Sequence, residues 1–188
     1  MVDRQAAWEL LCEYTQTDPL RKHGLAVEAV MRHFARKHGA DEELWGVTGL
    51  LHDFDYERWP TLEGHPFEGN KILTARGYPE ELRTAIMGHG EHTGVARETL
   101  MAKLLFSVDE LTGFVTAVAL VRPNKSIFEV EPPSVRKKLK DKAFARQVNR
   151  DDIVNGAAQL GVELDAHVAD VIAALREHAD VLGLRGTA

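Results

Sequence analysis

The sequence predicts an all-α fold, and three observations carry that expectation. Apolar residues recur at intervals of three and four through most of the 188-residue chain, the spacing that places them on one face of a helix. Proline and glycine fall between these stretches, where helices start and stop. No segment alternates apolar and polar residues with a period of two, as a half-buried strand would.

Taken in order, Asp18-Pro19 reads as a helix start, with Asp as N-cap and Pro at the first helical position. Leu20, Val27, Val30, Met31 and Phe34 follow as an apolar stripe, and Gly39 closes the helix. A second helix is predicted from about Asp41 to His52, with Leu44, Val47, Leu50 and Leu51 facing inward. Gly46 and Gly49 on its turns leave room for another helix to approach closely. Phe54 to Gly64 holds Pro60 and reads as a loop. His65-Pro66 opens a helix ending near Gly77, and Pro79 opens another that carries Leu82, Ala85 and Ile86 and stops at Gly88 and Gly90. A long helix runs from about Ala96 to Val121 and ends at Pro123; Phe106, Phe114 and Val118 are its core positions. Pro132-Pro133 precedes a short basic helix. The last two helices are expected at about 150–160 and 163–182, giving seven to nine in all, with no internal repeat and no low-complexity linker.

Composition narrows the function classes. Apolar residues make up 44% and charged residues 28%, and 29 acids against 23 bases give a formal charge of −6. That balance argues against coating DNA or RNA, which needs phosphate-neutralising charge. Cys12 is the only cysteine, so no internal disulfide forms, which fits a reducing cytoplasm. Asp3, Arg4 and Glu9 stand where a signal peptide would need its apolar stretch. The most apolar run, Leu111 to Val121, is too short to span a bilayer. The expectation is a cytoplasmic protein with no membrane partner; its oligomeric state stays open.

Ionisable groups stand on faces that the stripes would bury. His23 lies between Leu20 and Val27 on one stripe. Asp109 follows Leu105 by one turn and precedes Leu111. His52-Asp53 ends the run Gly49-Leu50-Leu51. A carboxylate in apolar surroundings is costly unless paired or bound to a metal. Two acids and two histidines on separate helices therefore suggest one shared site, and imidazole with carboxylate suits divalent transition metals. Adjacent His and Asp side chains can approach one ion from different angles where a helix ends.

The ordered set of a His, an His-Asp doublet and a distant Asp, here His23, Leu50-Leu51-His52-Asp53 and Phe106-Ser107-Val108-Asp109-Glu110, resembles the HD superfamily of metal-dependent phosphohydrolases. The resemblance covers about residues 18–125. It implies an HD-domain-like helical bundle: one domain over 1–188, its metal-site core at about 18–125 and C-terminal helices at 132–183 packed on it. It also implies hydrolysis of a phosphate ester or, less often, an oxidation. Two-metal members are similar in placing extra histidines between the doublet and the last Asp. His65 and His89 become candidate ligands of a second ion, with Asp53 bridging and serving as the catalytic residue. This chain has His89-Gly90-Glu91-His92 where those members carry a His-His pair, so one or two ions both remain open.

The ion would be Mn, Fe, Mg, Co, Ni or Zn. Two ions roughly 3.5–4 Å apart activate water and hold the attacking and leaving oxygens. Arg122, Lys125 and Lys71 are the candidates for neutralising phosphate charge, and the region Arg122 to Val148 is similar to a stretch of small HD-domain proteins. The implied substrate is a small phosphorylated molecule, a nucleotide or another phosphomonoester. Two alternatives stand beside it: a di-iron HD-type oxygenase, and a non-catalytic nucleotide-binding module. Each residue also has a plainer reading. His65 suits a helix start and His89 a helix end. Asp55 and Glu57 either orient a water or ligand or are loop acids. His92 is a weaker ligand candidate; His33, His38, His167 and His178 are expected at the surface, and the bases of Arg136 to Lys140 read as a solvated helix face.

Overall fold

The computed structural model describes residues 2–187. Among the described residues there are ten α-helices, two short 3-10 turns and no strand, so the all-α expectation holds while the helix count exceeds the predicted range. The chain divides into two compact units, Met1–Phe106 and Ser107–Ala188.

The first unit holds α1 (Arg4–Tyr14), α2 (Asp18–His38), α3 (Glu42–Leu51), α4 (Phe67–Ala75), α5 (Glu80–His89) and the start of α6 (Leu100–Leu120). Helix α1, which is not among the predicted helices, starts because the Asp3 carboxylate accepts the Gln5 and Ala6 N–H groups, and it buries Ala7, Leu10 and Leu11. Helix α2 begins one residue off the prediction. Thr17 takes the N-cap position and makes no side-chain bond there. Just before the helix, the Glu57 carboxylate receives the N–H groups of Gln16 and Thr17, which gives that loop acid a structural role. Gly39 ends α2 at φ 65°, a left-handed conformation that glycine adopts without strain.

Helix α3 is capped by Asp41, which accepts from the Leu44 N–H at 3.0 Å, and it crosses α2 at backbone distance. A Cβ on Gly24 would lie 3.0 Å from the Leu50 carbonyl oxygen, and one on Gly49 would lie 2.8 Å from that of Val27. The close approach expected at Gly49 is thus met, while the space over Gly46 is filled by the Arg32 side chain. Helix α4 starts at Phe67, after a cis His65-Pro66 bond, with Pro66 as its N-cap. Helix α6 starts at Leu100, four residues later than predicted. The Thr99 hydroxyl oxygen accepts the Ala102 N–H, and the Arg97 guanidinium donates to the Gly88 carbonyl, so a side chain just before α6 serves the end of α5.

The second unit holds the remainder of α6, then α7 (Pro132–Leu139), α8 (Arg150–Leu160), α9 (Leu164–Glu177) and α10 (Ala179–Leu182). Both prolines that were expected to precede α7 lie in its first turn, where a missing N–H is harmless. Helix α8 has its predicted ends, capped by Asn149 and closed by Gly161. It packs tightly on α6, since a Cβ on Gly156 would meet the Ser107 backbone. The helix predicted at 163–182 breaks at His178 (φ −113°, ψ 17°). His167, expected at the surface, is buried on the α9 face shared with Val168 and Val171. No helix among the described residues is long and apolar enough to cross a membrane.

Candidate metal centre

The close crossing of α2 and α3 positions the first part of the site. His23 projects from α2 one residue before Gly24, and His52 caps α3 three residues after Gly49. With no side chain separating the two backbones, the rings meet edge to face with centroids 5.1 Å apart. Asp53 follows in the turn that leaves α3. One ligand atom each from His23, His52 and Asp53 lies within 4.8 Å of the others.

The second part is built around the same aspartate. Asp53 Oδ1 lies 3.2 Å from His65 Nε2 and 3.3 Å from His89 Nε2, and those nitrogens are 3.1 Å apart. Asp53 Oδ2 faces His52 Nε2 at 3.5 Å. The two carboxylate oxygens therefore look toward different sets of imidazoles.

The opposite ring nitrogens decide what these imidazoles present. His52 Nδ1 is 2.7 Å from the Gly49 carbonyl oxygen. His89 Nδ1 faces the Ile86 carbonyl oxygen, and His65 Nδ1 lies 2.7 Å from Asp55 Oδ1. Carbonyl and carboxylate oxygens only accept, so each Nδ1 carries a proton and donates it. In the neutral ring each Nε2 is then a lone pair, and the Nε2 atoms of His65 and His89 converge on a carboxylate oxygen. Three acceptors at such distances repel one another unless a proton or a cation lies among them. A set of imidazole nitrogens and carboxylate oxygens, each ring tied by its far nitrogen, suits a divalent transition metal.

Without a cation, a proton does this work. Burial alone would lower the His65 pKa, but hydrogen bonds to Asp53 and Asp55 raise it to about 9. For Asp53, burial works against ionisation, and the His52 charge with hydrogen bonds from His65 and His89 overcomes it, holding the carboxyl well below the usual range. The aspartate is an anion at neutral pH.

Asp55, undecided in the sequence, is fully buried and orients His65. His92 is turned away: its Nε2–H donates to the His65 carbonyl oxygen at 2.9 Å. Tyr56, which the sequence did not single out, sets its ring edge to face against His65 at 5.4 Å. Lys71 is exposed on α4 and pairs with Glu68. Asp109 lies on α6, three residues into the second unit, and Arg122 and Lys125 lie in the turn that follows that helix.

No curated protein and no solved structure shows a match to the chain. The HD domain family matches residues 20–113, half of the chain. That span opens in α2, contains the doublet and both additional histidines, and closes just after Asp109, and on it the chain belongs to the HD domain family.

Proposed function

We propose that the protein is a metal-dependent phosphohydrolase that cleaves a phosphate ester of a small molecule, a nucleotide or another phosphomonoester. The observation that carries this reading is the convergence of Nε2 lone pairs from His65 and His89 on Asp53, beside the His23–His52 pair. His23, His52 and Asp53, whose ligand atoms lie within 4.8 Å of one another, would hold one divalent ion, with Asp109 proposed as its further ligand from the HD pattern. Asp53, His65 and His89 would hold a second, with Asp53 common to both groups.

A bound divalent ion supplies Lewis-acid charge that lowers the pKa of water from 15.7 to about 7. The chain's own residues hold that charge in place. Asp53 stays ionised and gives the two groups a common anchor. The Gly49 and Ile86 carbonyls and Asp55 keep the Nε2 lone pairs of His52, His89 and His65 aimed inward. Water attacks phosphorus, the bond to the ester oxygen breaks, and the leaving alcohol and inorganic phosphate share the protons. Arg122, Lys125 and Lys71 are proposed to neutralise phosphate charge.

Elemental analysis of protein purified without added metal, with phosphate release from a panel of nucleotides and phosphomonoesters, tests this reading. Asp53→Ala and His52→Ala should each lose bound metal and phosphate release while keeping the helical circular dichroism. Full metal content and full turnover in Asp53→Ala would sink it. A ligand set of four histidines and two aspartates also suits iron, and an oxygenase would show oxygen uptake and a redox-dependent iron absorption band, with no phosphate released.

A further inference from the structure

Asp55 is 1% exposed and spends its two oxygens on two different donors. Oδ1 accepts from His65 Nδ1–H and Oδ2 from the Gly69 N–H, each at 2.7 Å. The room for this carboxylate is made by a glycine, since a Cβ on Gly69 would stand 2.7 Å from Asp55 Cγ and Oδ2. His65 is held a second time through its carbonyl by His92. No helix of its own fixes it, because it precedes α4 in the turn after α3.

Resting on the two-ion reading above, we propose that Asp55 is the positioning residue of the second ion: it touches no ion itself and locks the His65 ring with Nε2 facing Asp53 and His89. The chemistry of its replacement by an amide shows why the carboxylate is needed. Asparagine has one acceptor oxygen where Asp55 has two. Flipped one way, its NH2 group faces the buried Gly69 N–H. Flipped the other way, it donates to His65 Nδ1, which must then accept, and the ring proton moves to Nε2, the atom that has to ligate. His52 takes its anchor from the Gly49 carbonyl and His89 from that of Ile86, so neither ring depends on Asp55. The defect is confined to the group that contains His65.

Mn²⁺ titration of the full-length chain, with free Mn²⁺ read by electron paramagnetic resonance, tests the assignment. The wild type should bind two ions. Asp55→Asn should keep one at wild-type affinity and weaken the other by about 10–100-fold, the usual loss when such an outer hydrogen bond is removed. Gly69→Ala, which displaces the carboxylate without changing its charge, should weaken the same ion. In Zn²⁺-loaded wild type, the long-range ¹H–¹⁵N spectrum should show His65 protonated at Nδ1. If Asp55→Asn does not fold, that spectrum decides alone, and an unprotonated Nδ1 overturns the proposal. Two ions bound at wild-type affinity by Asp55→Asn, or a single ion in the wild type, also overturns it while leaving the hydrolase reading in place. A wild type that binds no Mn²⁺, Zn²⁺ or other ion overturns both.

Discussion

Gly49→Ala tests whether the crossing of α2 and α3 sets the register of the site. The new Cβ would stand 2.8 Å from the Val27 carbonyl oxygen, 3.0 Å from the carbonyl carbon and 3.0 Å from Met31 Cγ. Two of these neighbours are backbone, so no side-chain rotation relieves them and the helices must separate. Overpacking of this kind costs about 1–3 kcal/mol, and backbone contacts put it near ~3 kcal/mol. Alanine in a helix interior returns roughly 1 kcal/mol relative to glycine, leaving a net loss of about 2 kcal/mol. For a chain of this size that lowers Tm by roughly 4–8 °C. The assay is thermal unfolding of metal-free protein by circular dichroism at 222 nm, with Gly88→Ala as the companion. There the Cβ presses only on Arg97 Cγ at 3.1 Å, on a flexible side chain, and Tm should change little. Because His23 sits beside Gly24 and His52 beside the end of the crossing, Gly49→Ala should also weaken metal binding. A variant at least as stable as the wild type would refute the claim that backbone contact fixes the spacing of these two histidines.

The metal-free protein should also show a pH dependence traceable to His65. Its folded pKa of about 9 lies above the unfolded 6.5, so its contribution is complete below about pH 6.5 and is lost as pH rises through about 9. The shift corresponds to at most roughly 3 kcal/mol, and His65→Gln should flatten the urea midpoint between those pH values; a wild-type midpoint that does not fall over this window contradicts the assignment. Chelation should destabilise protein purified with its metal: saturation at about 100 times Kd contributes roughly 2.7 kcal/mol, and an unchanged Tm after EDTA treatment would show that no ion had been bound to the folded state. Glu28, buried on α2, accepts from Arg4 at 3.0 and 2.9 Å and from Arg32 at 3.0 Å. Glu28→Ala removes the shared carboxylate, but Arg4 reaches solvent and Arg32 keeps Glu43, so the loss should be about 1–2 kcal/mol, read as a lowered denaturation midpoint with metal binding retained.

What the sequence disclosed follows from the range of the interactions involved. Helix α8 was legible to the residue because Asn149 and Gly161 act on their own neighbours. The start of α2 falls one residue early because Asp18 joins the helix itself and Thr17 takes the N-cap, while the chain before it is tied to Glu57, forty positions away. His23, His52 and Asp53 could be found because a polar group on an apolar helical face is anomalous in one dimension already. Asp55 could not be resolved. Its burial depends on how the loop after α3 folds back onto Gly69 and His65, and nothing in Phe54-Asp55-Tyr56-Glu57 distinguishes a buried carboxylate from Glu57 two residues later. His92, the weaker ligand candidate by sequence, turns its Nε2 to a carbonyl oxygen, a direction that spacing does not reveal.

The same contrast bears on the number of ions. His23 belongs to the middle of a helix turn and His52 hydrogen-bonds within its own helix end, so their separation is fixed by the packing of α2 on α3. His65 lies outside any helix and owes its aim to Asp55 and His92. On the proposed reading, the first group is preorganised by the fold and the second by a hydrogen-bonded turn. A turn opens at lower free energy than a helix crossing, so the two ions should differ in affinity, and the His65 ion should leave first as free metal falls. Stepwise loss is a sharper observable than stoichiometry at saturation, because it separates a two-ion centre from one ion shared among all six ligands: a shared ion would depart in one step, and His65→Ala and His23→Ala would weaken it together.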